Sequence, residues 1–381
     1  MLLFDLKATQ PNISGKRHGG GRYGEIVFFK LVEQKREFIC FYDSKSWINP
    51  EIENACKDNG IGLYDLNETS VESLIGKYNI RTVYSASANE VVSLKALNCR
   101  VIVTIHGLRD WEIPLDNTFW EYRNTFRQRC KFMLMKIFKK AYRKHIGKKF
   151  INSCLAPNIK IVTVSNHSKF SLNTFFPETK KMDIPVFYSP STTSKYHISK
   201  SKTNAVYFLL VSGDRWGKNN LRVIKAFDEL FSAGLLDMKS IKIKIAGSTG
   251  KNFSYKIKHP ICFEFMGYVD DMDLEYLYAN AYSFIYPSLN EGFGYPPIEA
   301  MHYGIPVLSS PFSSIPEVCG DAVIYFNPFS IDEIKNRILM ILEPNIHNHY
   351  EELSKQRYDL ITKKQNEDLD GLIKYLFNNE F

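Results

Sequence analysis

Short runs of apolar, β-branched and aromatic residues recur along the chain and alternate with longer stretches of helical periodicity, and this alternation narrows the possible folds more than any other feature. In the first half, strands are expected at 2–6, 37–42, 81–85, 100–105 and 160–164. In the second half they are expected at 205–212, 241–246, 262–266, 282–286, 306–309 and 322–326. Between them lie helix candidates such as 221–230, where Leu221, Ile224, Phe227 and Leu230 share one face and Asn219 or Asn220 would cap the start. Strands that alternate with helices form parallel sheets covered on both faces. Ligands of such sheets bind beyond the carboxyl ends of the strands, so functional residues should follow strands directly.

A chain of 381 residues is too long for one ordinary core, because single cores rarely grow past about 250–300 residues. Residues 190–204 (PSTTSKYHISKSKTN) are polar and aperiodic and read as a linker. The expected fold class is α/β, with two doubly wound, Rossmann-like domains facing each other across a cleft. The domains are expected at 1–195 and 205–364, with a helix at about 365–381 packing back on the first.

The stretch 282–320 carries the most chemistry. A buried strand ends near Pro287, and the glycine-bearing loop Asn290-Glu291-Gly292-Phe293-Gly294 follows. Pro296 and Pro297 suit the first turn of a helix, and Gly304 can end it. Glu291 and Glu299 then point into one small space at a helix N-terminus, where free N–H groups favour an anion.

Glu291-Gly292-Phe293-Gly294-Tyr295-Pro296-Pro297-Ile298-Glu299 resembles the E-x7-E signature of retaining glycosyltransferases of family 4, which have the GT-B fold. The flanks Gly304-Ile305-Pro306-Val307 and Ile315-Pro316-Glu317-Val318-Cys319-Gly320-Asp321-Ala322 are similar to the same family, as is Ser212-Gly213-Asp214-Arg215-Trp216-Gly217-Lys218-Asn219. The first domain resembles it only at a glycine run and at Thr104-Ile105-His106-Gly107-Leu108-Arg109-Asp110.

The resemblance implies a hexosyltransferase that moves a hexose from a nucleoside diphosphate sugar to a saccharide or lipid-linked saccharide, in cell-surface polysaccharide or glycoconjugate synthesis. It implies an acceptor side in the first domain and a nucleotide-sugar side in the second. Arg215 and Lys218 resemble the basic pair on the diphosphate, work that fixed cations do without a metal, so no cofactor is expected. The family's arginine often stands five or six positions before the lysine; here the two are three apart, which leaves open which one contacts phosphate. Glu299 resembles the carboxylate on the ribose and Glu291 the one on the sugar hydroxyls. Backbone N–H groups of Phe293 and Gly294 fit the same sugar, and Tyr268 and Val269 fit the base through their backbone. His106 resembles the histidine facing the sugar.

The run Gly19-Gly20-Gly21-Arg22-Tyr23-Gly24 admits two readings. As a loop it lets Gly20 and Gly21 approach the donor phosphates or the acceptor. It also fits G-x-G-x-x-G with Asp43 ending the next strand, the pattern of an NAD-dependent enzyme. About a dozen residues separate Leu6 from Gly19, whereas a dinucleotide loop follows its strand tightly. Asp270-Asp271-Met272-Asp273 could suggest a metal but reads as a helix start.

The charge is unevenly placed. The whole chain carries +8, yet residues 121–150 alone carry +10, leaving −2 for the rest. Phe126, Phe132, Met133, Met135, Ile137, Phe138 and Tyr142 interleave with those cations, a pattern open to a solvated helix face, a nucleic-acid-binding surface or an anionic membrane surface, and a basic membrane-surface adaptor is the alternative to an enzyme. No nucleic-acid-binding motif is present. The seven scattered cysteines lack C-x-x-C spacing, the N-terminus lacks a signal-peptide pattern, and no 18 apolar residues run together. A cytoplasmic protein, peripheral on the inner face of the membrane, is the expectation.

Overall fold

The computed structural model describes residues 1–11, 19–88, 98–122, 125–191, 198, 206–251 and 253–378, without the side chains of 144, 146 and 148–153. The linker expected at 190–204 falls almost wholly outside the described residues. The chain divides into two compact units. One comprises Met1–Leu108, Arg143–Thr192 and Thr362–Phe381, the other Arg109–Tyr142 and Thr193–Ile361.

The first unit is a six-stranded sheet of β1 (Leu2–Asp5), β2 (Phe38–Tyr42), β3 (Leu63–Asp65), β4 (Thr82–Ser85), β5 (Arg100–Ile105) and β6 (Ile159–Thr163). Its order is β3-β2-β1-β4-β5-β6 and all its pairs are parallel. β1, β4 and β5 are buried at every residue, so the hydrophobic runs that marked them are the central strands of a sheet covered on both faces. The helix Gly19–Glu33 buries Gly24, Val27, Phe28 and Leu31, spaced three and four apart, and Phe28 meets Phe4 at 6.0 Å. The last helix, Pro344–Phe377, buries Leu372, Ile373 and Leu376. Its Gln365 Nε2 donates to Ser189 O at 2.6 Å, and its Tyr375 ring lies 4.6 Å under the Arg100 guanidinium.

The second unit holds β7 (Val206–Leu210), β8 (Ile241–Ile245), β9 (Phe263–Phe265), β10 (Ser283–Tyr286), β11 (Val307–Ser309) and β12 (Val323–Tyr325). Its order is β12-β11-β10-β7-β8-β9, again all parallel, which repeats the doubly wound order of the first. Each sheet therefore has one point where the winding reverses: between β1 and β4, and between β7 and β10. The helix Asn220–Ser232 buries Leu221, Ile224, Phe227 and Leu230 on the second sheet. Asn219 precedes it with φ 60° and makes no side-chain cap; its Nδ2 donates to Pro328 O at 2.7 Å and its Oδ1 accepts from Arg222.

The boundary read at 195/205 differs from these units in one stretch. Residues 109–142 belong with the second unit. Tyr122 is 2% exposed; its hydroxyl accepts from Leu221 N at 3.3 Å and its ring meets Phe253 at 5.3 Å. Lys225 Nζ reaches Glu121 at 2.5 Å and Arg222 reaches Asp116 at 3.3 Å. The 19–24 run is also not a loop: its glycines form the first turns of a helix. A Cβ on Gly24 would lie 2.8 Å from Thr9 Cγ2, so that glycine serves close packing. Asp43 directly follows β2, but its carboxylate accepts from Asn67 at 2.9 Å and from Lys45 N at 3.0 Å.

Tyr122→Ala should cost about 3–5 kcal/mol, the range for removing a buried aromatic side chain. Hydrogen exchange should show the loss of protection in Asn220–Ser232, while the sheet β1–β6 keeps its own; loosening confined to β1–β6 would contradict the assignment of 109–142.

Candidate functional site

The carboxyl ends of β7 and β10 sit side by side at the reversal point of the second sheet. The chain leaving β7 turns tightly: Arg215 N donates to Ser212 O at 3.2 Å and Lys218 N to Arg215 O at 2.9 Å. The chain leaving β10 runs through Ser288 to Glu291 and then into the helix Tyr295–His302. Gly294 starts that helix at φ 105°, and a Cβ there would lie 2.5 Å from Ile315 Cδ1, so both backbone and space demand glycine. Pro296 and Pro297 occupy the first turn, and Gly304 follows the end at φ 66°.

The two loops meet in an ion pair. Lys218 Nζ donates to Glu291 Oε1 at 2.6 Å and to Tyr286 Oη at 2.5 Å, and both members of the pair are almost wholly buried. Ser288 Oγ donates to the same Glu291 oxygen. Ser314 Oγ donates to Phe293 O at 2.8 Å, and Ser310 Oγ holds Ser288 O, so serines from the β11 side fix the loop. Burial pushes the Lys218 ammonium below its ordinary range, with Arg109 and Arg215 adding repulsion against the opposing pull of Glu291. Burial alone would raise the Glu291 carboxyl, but Lys218 and Arg109 overturn that and hold it below the usual carboxylate range. Glu291 thus sits in the field of Lys218 and Arg109, with Arg215 acting on Lys218, and this surplus of cations beside a helix N-terminus suits a phosphate-bearing ligand.

Of the residues expected from sequence, the structure brings Arg215, Lys218, Glu291, Phe293 and Gly294 into this one region. Glu299 is half-buried in the helix Tyr295–His302. Tyr268 is exposed and Val269 half-buried after β9. His106 lies in the first unit beyond β5, its Nε2 on Ala86 O at 2.8 Å and its ring edge-on to Tyr23 at 4.8 Å. Gly20 and Gly21 open the helix Gly19–Glu33. Asp270 caps the helix Asp271–Asn280, accepting from Asp273 N at 2.8 Å, which is the helix-start reading of that acidic cluster.

Arg109 and Glu112 join this site, a placement beside Glu291 that the sequence did not indicate. Glu112 Oε2 accepts from Asn290 Nδ2 at 2.7 Å, and the same amide reaches Ser313 Oγ at 2.8 Å. This clamps the loop beside Glu291 from a segment 178 positions away. The only signal for Arg109 in the sequence was the T-I-H-G-L-R-D string itself, which carried no sign of where it would pack.

Removing one member of a buried pair strands the other charge, so Glu291→Gln should cost about 3 kcal/mol at neutral pH. The Glu291 carboxyl titrates lower in the folded than in the unfolded chain. The difference between wild type and variant should therefore be constant above the unfolded value of about 4.3 and shrink as pH falls below it. Urea denaturation across that range reads it; a difference that grows on acidification would contradict the pair.

Residues 193–359 match the family described as Glycosyl transferases group 1. O-antigen chain mannosyltransferase B of Escherichia coli is 51% identical over 79 residues, 21% of this chain and 21% of that protein. O-antigen chain mannosyltransferase RfbU of Salmonella typhimurium is 32% identical over 176 residues, 44% of this chain and 46% of that protein. The matched part of the chain spans less than half the length of either relative. A glycosyltransferase structure from Rickettsia africae superposes with a TM-score of 0.67 at 17% identity, covering 100% of this chain and 99% of that one. The Anabaena protein Alr3699/HepE in complex with UDP and glucose superposes at 0.63 with 13% identity, covering 98% and 99%. These likenesses show the GT-B fold. The glycosyl transferases group 1 match thus covers the part of the second unit that holds the Lys218–Glu291 pair, over less than half of the chain.

Proposed function

We propose that the chain is a retaining, family 4-type hexosyltransferase that uses a nucleoside diphosphate sugar and needs no metal cofactor. The observation that carries this reading is the buried Lys218–Glu291 pair at the reversal point of the second sheet, inside the matched domain. The names of the relatives make a mannosyl donor the first to test, and a saccharide on an O-antigen-like chain, or its lipid-linked form, the first acceptor. The UDP in the Anabaena complex supports a nucleotide-sugar donor.

Without donor, Lys218 and Glu291 neutralise each other. An arriving diphosphate exchanges partners: its oxygens take Lys218 and Arg215, and Glu291 turns to accept hydroxyls of the donor sugar. Backbone N–H groups of Phe293 and Gly294 hold the same sugar, Glu299 accepts from the ribose, and the backbone at Tyr268 and Val269 meets the base. His106, Gly20 and Gly21 keep the roles the resemblance implies, the histidine toward the sugar and the glycines toward the donor phosphates or the acceptor. In retention by front-face attack, the departing phosphate oxygen takes the proton of the acceptor hydroxyl as the new glycosidic bond forms. The cations serve this step by stabilising the charge that develops on the diphosphate.

Lys218→Ala should lower kcat by roughly 10²–10³-fold, the range for removing one electrostatic stabiliser of a leaving charge. Glu299→Ala should weaken donor binding in calorimetry while leaving the fold intact. Turnover should survive a chelator; complete loss restored by added Mg2+ would refute the metal-free reading, and unchanged donor affinity in Glu299→Ala would remove the ribose role.

A further inference from the structure

The helix Phe126–Ile137 has two apolar faces, and only one of them is used by the chain. Phe132 is 3% exposed and Met135 is buried; Phe132 stacks on Phe119 at 3.9 Å and meets Trp216 edge-on at 5.6 Å. Trp216 stands between Arg215 and Lys218, so this face is fastened to the turn that carries both cations.

The opposite face is bare. Phe126 is 84% exposed and Ile137 62%, with Met133 and Leu134 also exposed. At 3.6 residues per turn these four fall within an arc of about 100°, a continuous apolar stripe. Arg127 and Lys131 border one edge of the stripe, Arg129 and Lys136 the other, and all four are exposed. Lys136 also reaches Asn117 at 2.7 Å. The helix contains no acidic residue, and its first turn is closed by a capping box between Thr125 and Gln128. Among the described residues, no helix is long and apolar enough to cross a membrane.

We propose that this helix docks the protein on an anionic lipid surface, lying in the plane of the interface with Phe126, Met133, Leu134 and Ile137 in the acyl boundary. Cations on both edges of an apolar stripe match a layer of anionic headgroups, which surrounds an inserted helix on either side. A protein partner would have to supply acids along both edges of a narrow stripe as well as an apolar groove. Because the buried face of the helix is stacked on Trp216, a docked chain holds the Arg215–Lys218 turn at the lipid surface. That last clause rests on the proposed function; the docking itself does not.

The test is co-sedimentation of the full chain with phosphatidylcholine vesicles containing roughly 30% phosphatidylglycerol, and with phosphatidylcholine alone. The chain should bind the anionic vesicles and lose them at high salt. Leu134→Glu with Ile137→Glu alters exposed positions and should leave the thermal midpoint unchanged. It should weaken vesicle binding by at least roughly tenfold. Arg127→Gln with Lys131→Gln should weaken it with a flatter salt dependence. Unchanged partitioning of the double glutamate variant overturns the proposal. So does a wild-type oligomer that this variant converts to monomer without loss of vesicle binding, which would make the stripe a contact between copies. Nucleotide-sugar binding, read by calorimetry, should be the same in wild type and both variants. Its absence from all three would refute the proposed function and leave the vesicle result standing.

Discussion

A lysine and a glutamate, Lys218 and Glu291, meet at 2.6 Å where the second sheet reverses its winding, and much of the surrounding architecture exists to let them meet. Crossovers carry the chain from β7 toward β8 and from β10 toward β11, in opposite directions across the sheet. The two departing loops therefore diverge, and the crevice between them is the place where side chains from distant segments can share a ligand. Each charge alone would cost several kcal/mol to desolvate. Ser288, Ser310 and Ser314 offset that cost by satisfying the carboxylate and the backbone of its loop.

The same requirement explains why residues 109–142 belong to the second unit. Arg109 acts on both members of the pair, and Glu112 clamps Asn290 one residue from Glu291. Further along, Asp116, Glu121 and Tyr122 are held by Arg222, Lys225 and Leu221 of one helix. Four successive anchors on a short segment make its position rigid, and that rigidity is what a preorganised charge needs. The segment completes a site whose other members lie a hundred or more positions further on.

Most strands were legible because a parallel strand buried on both faces must be apolar throughout, and such runs stand out between amphipathic helices. The strand Leu63–Asp65 escaped notice: it has three residues, lies at the sheet edge and is only half-buried, so nothing required a hydrophobic run. Glu291 and Lys218 were legible as motif members, yet their direct pairing was not, because spacing along the chain says nothing of which loops the topology makes neighbours. The glycines at 19–24 misled for a physical reason. Glycine serves close packing as well as loop flexibility, and Gly24 against Thr9 is the former. The placement of 109–142 was illegible because it rests on isolated aromatic contacts, ion pairs and single hydrogen bonds between positions far apart in the chain, which leave no periodic trace.

The chain uses its cations in two ways, and burial separates them. Those on Phe126–Ile137 face water, where screening over about 8 Å limits each to a shallow, additive attraction for a charged surface. Lys218 is desolvated, and burial with two neighbouring cations pushes its ammonium below the ordinary range; Glu291 opposes that shift without cancelling it. A formal charge of +8 counts both kinds alike, although only the buried kind is held by a partner at the reversal point of the second sheet. The stack of Phe119, Phe132 and Trp216 joins the two classes physically, since one helix presents the exposed cations on its outer flanks and holds the turn of the buried one on its inner face. A charge-neutral apolar stack is the joint that lets them stand close: it carries position from one cluster to the other without adding repulsion to either.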